Sequence, residues 1–184
     1  MRRFLMIALG VVALDQVTKV WVDMVIPLYG RVEVIPGFFE LTNVRNPGAA
    51  WGMLRDYPQF LTGLAVLAMA ALVLFRKQLI ADHRFYDPVL AILLGGVCGN
   101  LIDRIRLGEV IDFLWFDLGF MVWPTFNVAD SAICVSVTLS VLISLLVGGR
   151  ATVERRSRLM DQGGAGGGDS EAGQGPTKLE SASS

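Results

Sequence analysis

Four long apolar runs, each near the length of a bilayer crossing, constrain this chain more than any other feature. They extend over about residues 4–26, 60–75, 88–102 and 126–147. A helix needs roughly 20 mainly apolar residues to span the hydrocarbon core. Of the 184 residues 53% are hydrophobic and 18% charged, whereas a soluble domain carries about 25% charged residues. The fold expected is an α-helical polytopic membrane protein with four transmembrane helices. A membrane-embedded domain would cover residues 1–148, and a Gly/Ser/Glu-rich tail, 149–184, has too little apolar content to bury a core and is expected to be disordered.

Composition also removes several function classes. The formal net charge of -1 hides no basic stripe, so no nucleic-acid partner is expected. Cys98 and Cys134 sit inside apolar segments without CxxC spacing and read as small packed hydrophobes. His83 is the single histidine and lies in the charged stretch from Arg76 to Arg84. A Ser-His-Asp triad or a His/Cys zinc site is therefore hard to build, and neither metal nor cofactor is expected. Met1-Arg2-Arg3 before Phe4–Leu14 has the look of a secretory signal. Asp15, Gln16 and Lys19 interrupt the run, and no small-x-small cleavage site follows, so an uncleaved first helix is expected.

Basic residues set the topology. Arg2, Arg3, Arg76, Lys77, Arg84, Arg150, Arg155, Arg156 and Arg158 fall on one side of an even-span arrangement, against Arg31, Arg45, Arg55, Arg104 and Arg106 on the other. Both termini are then cytoplasmic, and residues 25–59 and 104–124 lie outside. Within about 30–58, Arg31–Ile35 alternates, Pro36-Gly37 signals a turn, and Phe38–Val44 resumes an apolar pattern. A small extracytoplasmic β-hairpin is expected there. An amphipathic stretch around Trp51–Tyr57 should follow the turn at Asn46–Gly52, its Trp and Tyr suited to the headgroup region.

The chemistry lies in acids at the edges of the spans. Gly99-Asn100-Leu101-Ile102-Asp103-Arg104 leads into Val110-Ile111-Asp112-Phe113, and Phe126-Asn127-Val128-Ala129-Asp130-Ser131 follows. A carboxylate at a membrane helix centre costs roughly 2.5–3.5 kcal/mol on insertion scales, so several near one face need partners or a task. Asn100 and Asp103 are three apart, as are Asn127 and Asp130, which on a helix puts amide and carboxylate on one face. Two carboxylates in a partly dry site share a proton, and one can then activate water while the other donates. Among Asp103, Asp112, Asp117 and Asp130, the pair Asp112–Asp130 is favoured because both are flanked by apolar residues. Asp103 beside Arg104 could be an ion pair or orient substrate, and Asp117 reads as an exposed turn. Asp15 and Lys19 have i,i+4 spacing and read as a buried pair orienting the first helix, with a direct substrate contact as the alternative.

These stretches, with Asp15-Gln16-Val17-Thr18-Lys19 and Asn46-Pro47-Gly48-Ala49-Ala50-Trp51, resemble in order and spacing the lipoprotein signal peptidase (signal peptidase II) family of integral-membrane aspartyl proteases. The resemblance covers about residues 10–148. It implies Asp112 and Asp130 as the catalytic dyad, Asn100, Asp103, Arg104 and Asn127 lining the site, and Asn46 and Gly48 helping to hold substrate. It also implies four helices with an extracytoplasmic β-cradle and a short interfacial helix, in a bacterial inner-membrane enzyme with its site toward the extracytoplasmic face. The substrate would be a diacylglyceryl-prolipoprotein cut just before the lipidated cysteine, with membrane lipid as surroundings and globomycin as inhibitor. A monomer is expected. The residues alone leave two rivals open, a proton-coupled transporter and a noncatalytic scaffold whose polar pairs join helices.

Overall fold

A computed structural model describes residues 1–49, 52–79 and 86–164. The chain divides into two compact units, Met1–Ile143 and Ser144–Ser184. In chain order the elements are α1 (Arg2–Val25), β1 (Arg31–Ile35), β2 (Phe39–Asn46), α2 (Pro58–Leu79), α3 (Tyr86–Leu107), β3 (Val110–Asp117), β4 (Val122–Phe126) and α4 (Val128–Gly164). Each of the four helices contains a stretch long and apolar enough to cross a membrane. On α2 the apolar side chains Leu64, Leu67, Val73, Leu74 and Phe75 are exposed, an apolar surface suited to lipid rather than to water.

The helices pack through small residues and a modest apolar core. Phe4 and Ala8 of α1 meet Leu90, Ala91 and Leu94 of α3, and Met69 and Leu72 of α2 pack against them. Gly95 and Gly96 bring α3 close to its neighbours. A Cβ on Gly95 would lie 2.8 Å from the Ala8 carbonyl oxygen, and one on Gly96 would lie 2.6 Å from that of Ala129. Helices pressed together through glycine are the expected solution where lipid, rather than water, surrounds them.

The strands form one antiparallel sheet in the order β1-β2-β3-β4. It leaves α1 at its C-terminal end and rejoins the bundle at the N-terminal end of α4, so it crowns one end of the helices. The hairpin between β1 and β2 turns at Gly37, which has φ +67° and donates its N–H to Glu33 Oε1 at 3.0 Å. β3 and β4 lie in the segment expected as outer loop. Pro124 sits in the edge strand β4, where a missing N–H is tolerated. A second core of Val22, Ile26 and Phe113 fixes β3 against the end of α1.

Two expectations change. Over Gly52–Asp56 the chain makes tight turns rather than a regular interfacial helix, with Gly52 at φ +71° and Leu54 at φ +56°. Its backbone groups are satisfied locally, Ala49 N–H on Met53 O at 2.7 Å and Tyr57 N–H on Leu54 O at 2.9 Å. Trp51, His83 and Arg84 lie outside the described residues. In addition, α4 extends to Gly164, past the expected end near residue 147. Residues such as Ala151, Glu154, Arg155, Arg158 and Leu159 are good helix formers. Of the tail expected to be disordered, residues 165–184 lie outside the described residues.

Candidate active site

A polar layer between α1 and α3 underlies the site. Lys19 is 1% exposed, and its ammonium meets Asp15 Oδ2 at 2.9 Å, Asp103 Oδ2 at 2.8 Å and Asn100 Oδ1 at 2.9 Å. Gln16 adds an amide donor to Asp15, Asp103 and the Gly99 carbonyl. Asp103 Oδ2 also accepts the Ile111 N–H at 3.3 Å, which ties β3 to α3. Asp15 Oδ1 accepts the Ala129 N–H at 2.9 Å, so a side chain of α1 satisfies a free donor at the start of α4. Every charge in this layer is paired and hydrogen-bonded, the condition under which buried charge is tolerated. Removing one member would cost about 3–5 kcal/mol.

Above this layer stand Asp112 and Asp130. Asp112 lies on β3 directly opposite Val44, and the neighbouring pair Asn46–Val110 puts Asn46 on the same face. Asn46 Nδ2 donates to Asp112 Oδ2 at 2.8 Å, and Asn127 Nδ2 donates to Asp112 Oδ1 at 2.7 Å. Asp130 occupies the first turn of α4. Its Oδ1 accepts from Asn100 Nδ2 at 2.7 Å, and its Oδ2 accepts from the Asn127 N–H at 3.2 Å. Burial pushes the Asp112 carboxyl up to about 7, and the charge of Asp130 acts in the same direction. The amides of Asn46 and Asn127 and the Lys19 charge pull the other way.

A cavity of about 470 Å³ opens over both carboxylates. Asn46, Gly48, Asn100 and Arg104 line its polar side, and Trp123, Phe126 and Cys134 contribute to its apolar side. Arg104 Nη2 donates to the Gly48 carbonyl at 3.2 Å, while its buried Nε has no partner among the described residues. The Gly48 N–H donates to Asn46 Oδ1 at 2.9 Å. Only glycine fits at position 48, because a Cβ there would stand 2.7 Å from the Met53 carbonyl oxygen. Among the described residues no group of three or more His, Cys, Asp or Glu side chains could hold a metal ion.

Of the residues singled out from sequence, Asn46, Gly48, Asn100, Arg104, Asp112 and Asp130 meet at the cavity. Asp103 and Asn127, expected on its lining, stand behind it. Asp103 is held by Lys19, Gln16 and the Ile111 N–H, and Asn127 by Asp112 and Asp130. Asn127 precedes α4 and caps it instead of sharing a helical face with Asp130. Asp117, at the end of β3, accepts the Gly119 N–H in a turn, away from the dyad. Cys134, expected to be packed, is exposed and reaches the cavity. The apolar wall from β4 was missed because the strand itself was missed. Gln16 was missed as a network member, although its place between Asp15 and Lys19 in one helical turn was a usable signal.

A family model described as signal peptidase (SPase) II matches residues 7–146. A lipoprotein signal peptidase of Geobacter metallireducens is 45% identical over 132 residues, which span 70% of this chain and 82% of that relative. One from Listeria monocytogenes is 38% identical over 149 residues, 81% of this chain and 96% of that relative. Among solved structures, a bacterial membrane enzyme determined by the in meso method at 1.9 Å resolution superposes with a TM-score of 0.71 at 35% identity. That match covers 79% of this chain and 94% of the other. With its spans, its crowning sheet and its family-wide match in agreement, the chain belongs to the signal peptidase II family of lipoprotein-processing membrane proteases.

Proposed function

We propose that the chain is an aspartic endopeptidase that removes signal peptides from diacylglyceryl-modified prolipoproteins, cutting just before the lipidated cysteine. The observation that carries this is the convergence of Asp112 and Asp130 on one cavity, each held by two hydrogen-bond donors. Both carboxylates keep further lone pairs for water and proton.

In this mechanism Asp112, raised to about 7, holds the shared proton. Asp130, at a helix N-terminus that favours an anion, is the base. Asp130 takes a proton from water as the water oxygen attacks the scissile carbonyl carbon. Asp112 gives its proton to the carbonyl oxygen, forming a tetrahedral diol. On collapse the proton on Asp130 passes to the amide nitrogen, and Asp112 recovers one from a diol hydroxyl. The C–N bond breaks, leaving a peptide carboxyl and a free amine on the cysteine. Asn46, Gly48 and Arg104 hold the peptide, and Trp123 and Phe126 give the lipid-bearing residue an apolar wall.

The cytoplasmic side carries both termini in this account, and the sheet and cavity face outward, following the basic residues at Arg2, Arg3, Arg76 and Lys77. Substrate then reaches the site by lateral diffusion, the enzyme acts as a monomer, and globomycin blocks the cavity. The test is cleavage of a prolipoprotein with and without its diacylglyceryl group, followed by N-terminal analysis of the product. Cleavage only of the lipidated form, leaving the modified cysteine first, is expected; cleavage elsewhere, or indifference to the lipid, contradicts the proposal.

A further inference from the structure

Lys19 has no route to substrate: it is 1% exposed and all three ammonium protons have partners. An ammonium only donates, so it can face only the oxygen end of the Asn100 amide. The NH₂ end is thereby turned toward Asp130, whose Oδ1 it reaches at 2.7 Å. The other two amides at the dyad are oriented by the same logic with backbone donors. Asn46 Oδ1 accepts from the Gly48 N–H, and Asn127 Oδ1 accepts from the Asp130 N–H. Asn100 alone has a buried full charge in that role.

Joining α1 to α3 does not account for the third bond. Gln16 already links the helices through Asp103 and the Gly99 carbonyl, and the Lys19–Asp103 pair links them again. Without the ammonium, the Asn100 amide is free to turn over about its last torsion. Its oxygen would then confront Asp130 Oδ1, acceptor against acceptor, and the carboxylate would lose the donor that fixes its plane.

We propose that Lys19 is a positioning residue for peptide hydrolysis, acting through Asn100 by locking the amide with its NH₂ end on Asp130. This rests on the dyad proposed above. A one-ångström misplacement of a reacting group can cost on the order of 100-fold in rate, so a part of that range is expected here.

Lys19→Met alone would strand two buried carboxylates. Lys19→Met combined with Asp103→Asn removes one positive and one negative charge together and keeps the cluster's net charge. At matched folded amounts its kcat should fall about 10- to 100-fold with KM nearly unchanged. Lys19→Gln with Asp103→Asn, which restores an uncharged donor, should recover part of the loss. In an Asn100→Leu background the Lys19→Met pair should cost nothing further, because the route is already cut. Wild-type kcat in the Lys19→Met pair, or an undiminished further loss in the Asn100→Leu background, overturns the proposal. If neither pair folds, Asn100→Asp keeps an oxygen on Lys19 but sets a second carboxylate against Asp130 in place of the donor. A loss of kcat at least as large is then expected, and wild-type turnover overturns the route. Asp112→Asn and Asp130→Asn are assayed in parallel. Wild-type cleavage by those two would defeat the dyad itself, whereas their inactivity beside unaffected Lys19 variants defeats only the role of Lys19.

Discussion

Asn127 and Asp130 cap each other: Asn127 Oδ1 accepts the Asp130 N–H at 2.9 Å, and Asp130 Oδ2 accepts the Asn127 N–H at 3.2 Å. This is a capping box with aspartate in the glutamate position. One proposed catalytic carboxylate is thus part of the device that starts its own helix, and the same asparagine reaches the other carboxylate through Nδ2. Local folding of α4 and the spacing of the dyad are set by one motif.

That double use can be separated. Asn127→Ser keeps a good N-cap but removes the amide donor to Asp112, whereas Asn127→Ala removes both. The alanine variant should lose about 0.5–2 kcal/mol more stability than the serine variant, measured by thermal unfolding in detergent. Both should lose most of their cleavage activity. Full activity in Asn127→Ser would mean that the amide contributes only the cap.

Asp112 has an ordinary carboxyl value of 3.8 when unfolded and about 7 when folded. Between the two, the folded protein retains a proton that the unfolded chain has released. The corresponding stability is fully present below 3.8 and is lost as pH rises through about 7. Asp112→Asn has no such proton to lose. Its stability relative to wild type should therefore rise from pH 5 to about pH 7 and level off above that in melts run side by side; parallel curves would show that folding does not raise the Asp112 carboxyl into this range.

Close helix packing gives a third expectation. A Cβ at Gly96 would lie 2.6 Å from the Ala129 carbonyl oxygen and 2.9 Å from Ile133 Cγ1, while one at Gly63 has nothing within 4 Å. Gly96→Ala should destabilise by about 1–3 kcal/mol through overpacking. Gly63→Ala should be neutral or raise stability by up to about 1 kcal/mol, because alanine favours the helix. Equal melting temperatures for the two variants would contradict the packing of α3 on α4.

The four spans were legible because bilayer thickness imposes a length on apolar runs. The β1–β2 hairpin was legible because Pro36-Gly37 separates two patterned stretches. β3 and β4 were not: Val110–Phe116 is nearly continuous in apolar residues, so it carries no alternation, and Pro124 argues against a strand unless its edge position is known. Asp112 could be singled out by its apolar flanks, but its pairing with Asn46 depends on a β2–β3 register that sequence spacing does not encode. The place of Asp103 behind the cavity was hidden for a related reason. Its neighbour Arg104 suggested a partner, while its actual partner, Lys19, stands on α1, far away in sequence.

The two-aspartate mechanism is tested most directly by turnover of a diacylglyceryl-modified prolipoprotein by purified wild type, Asp112→Asn and Asp130→Asn at matched folded amounts. Wild type should cleave, and each variant should lose at least about 100-fold in kcat, the lower end of what a general acid or base contributes. Wild-type rates in either well-folded variant would contradict the two-aspartate mechanism.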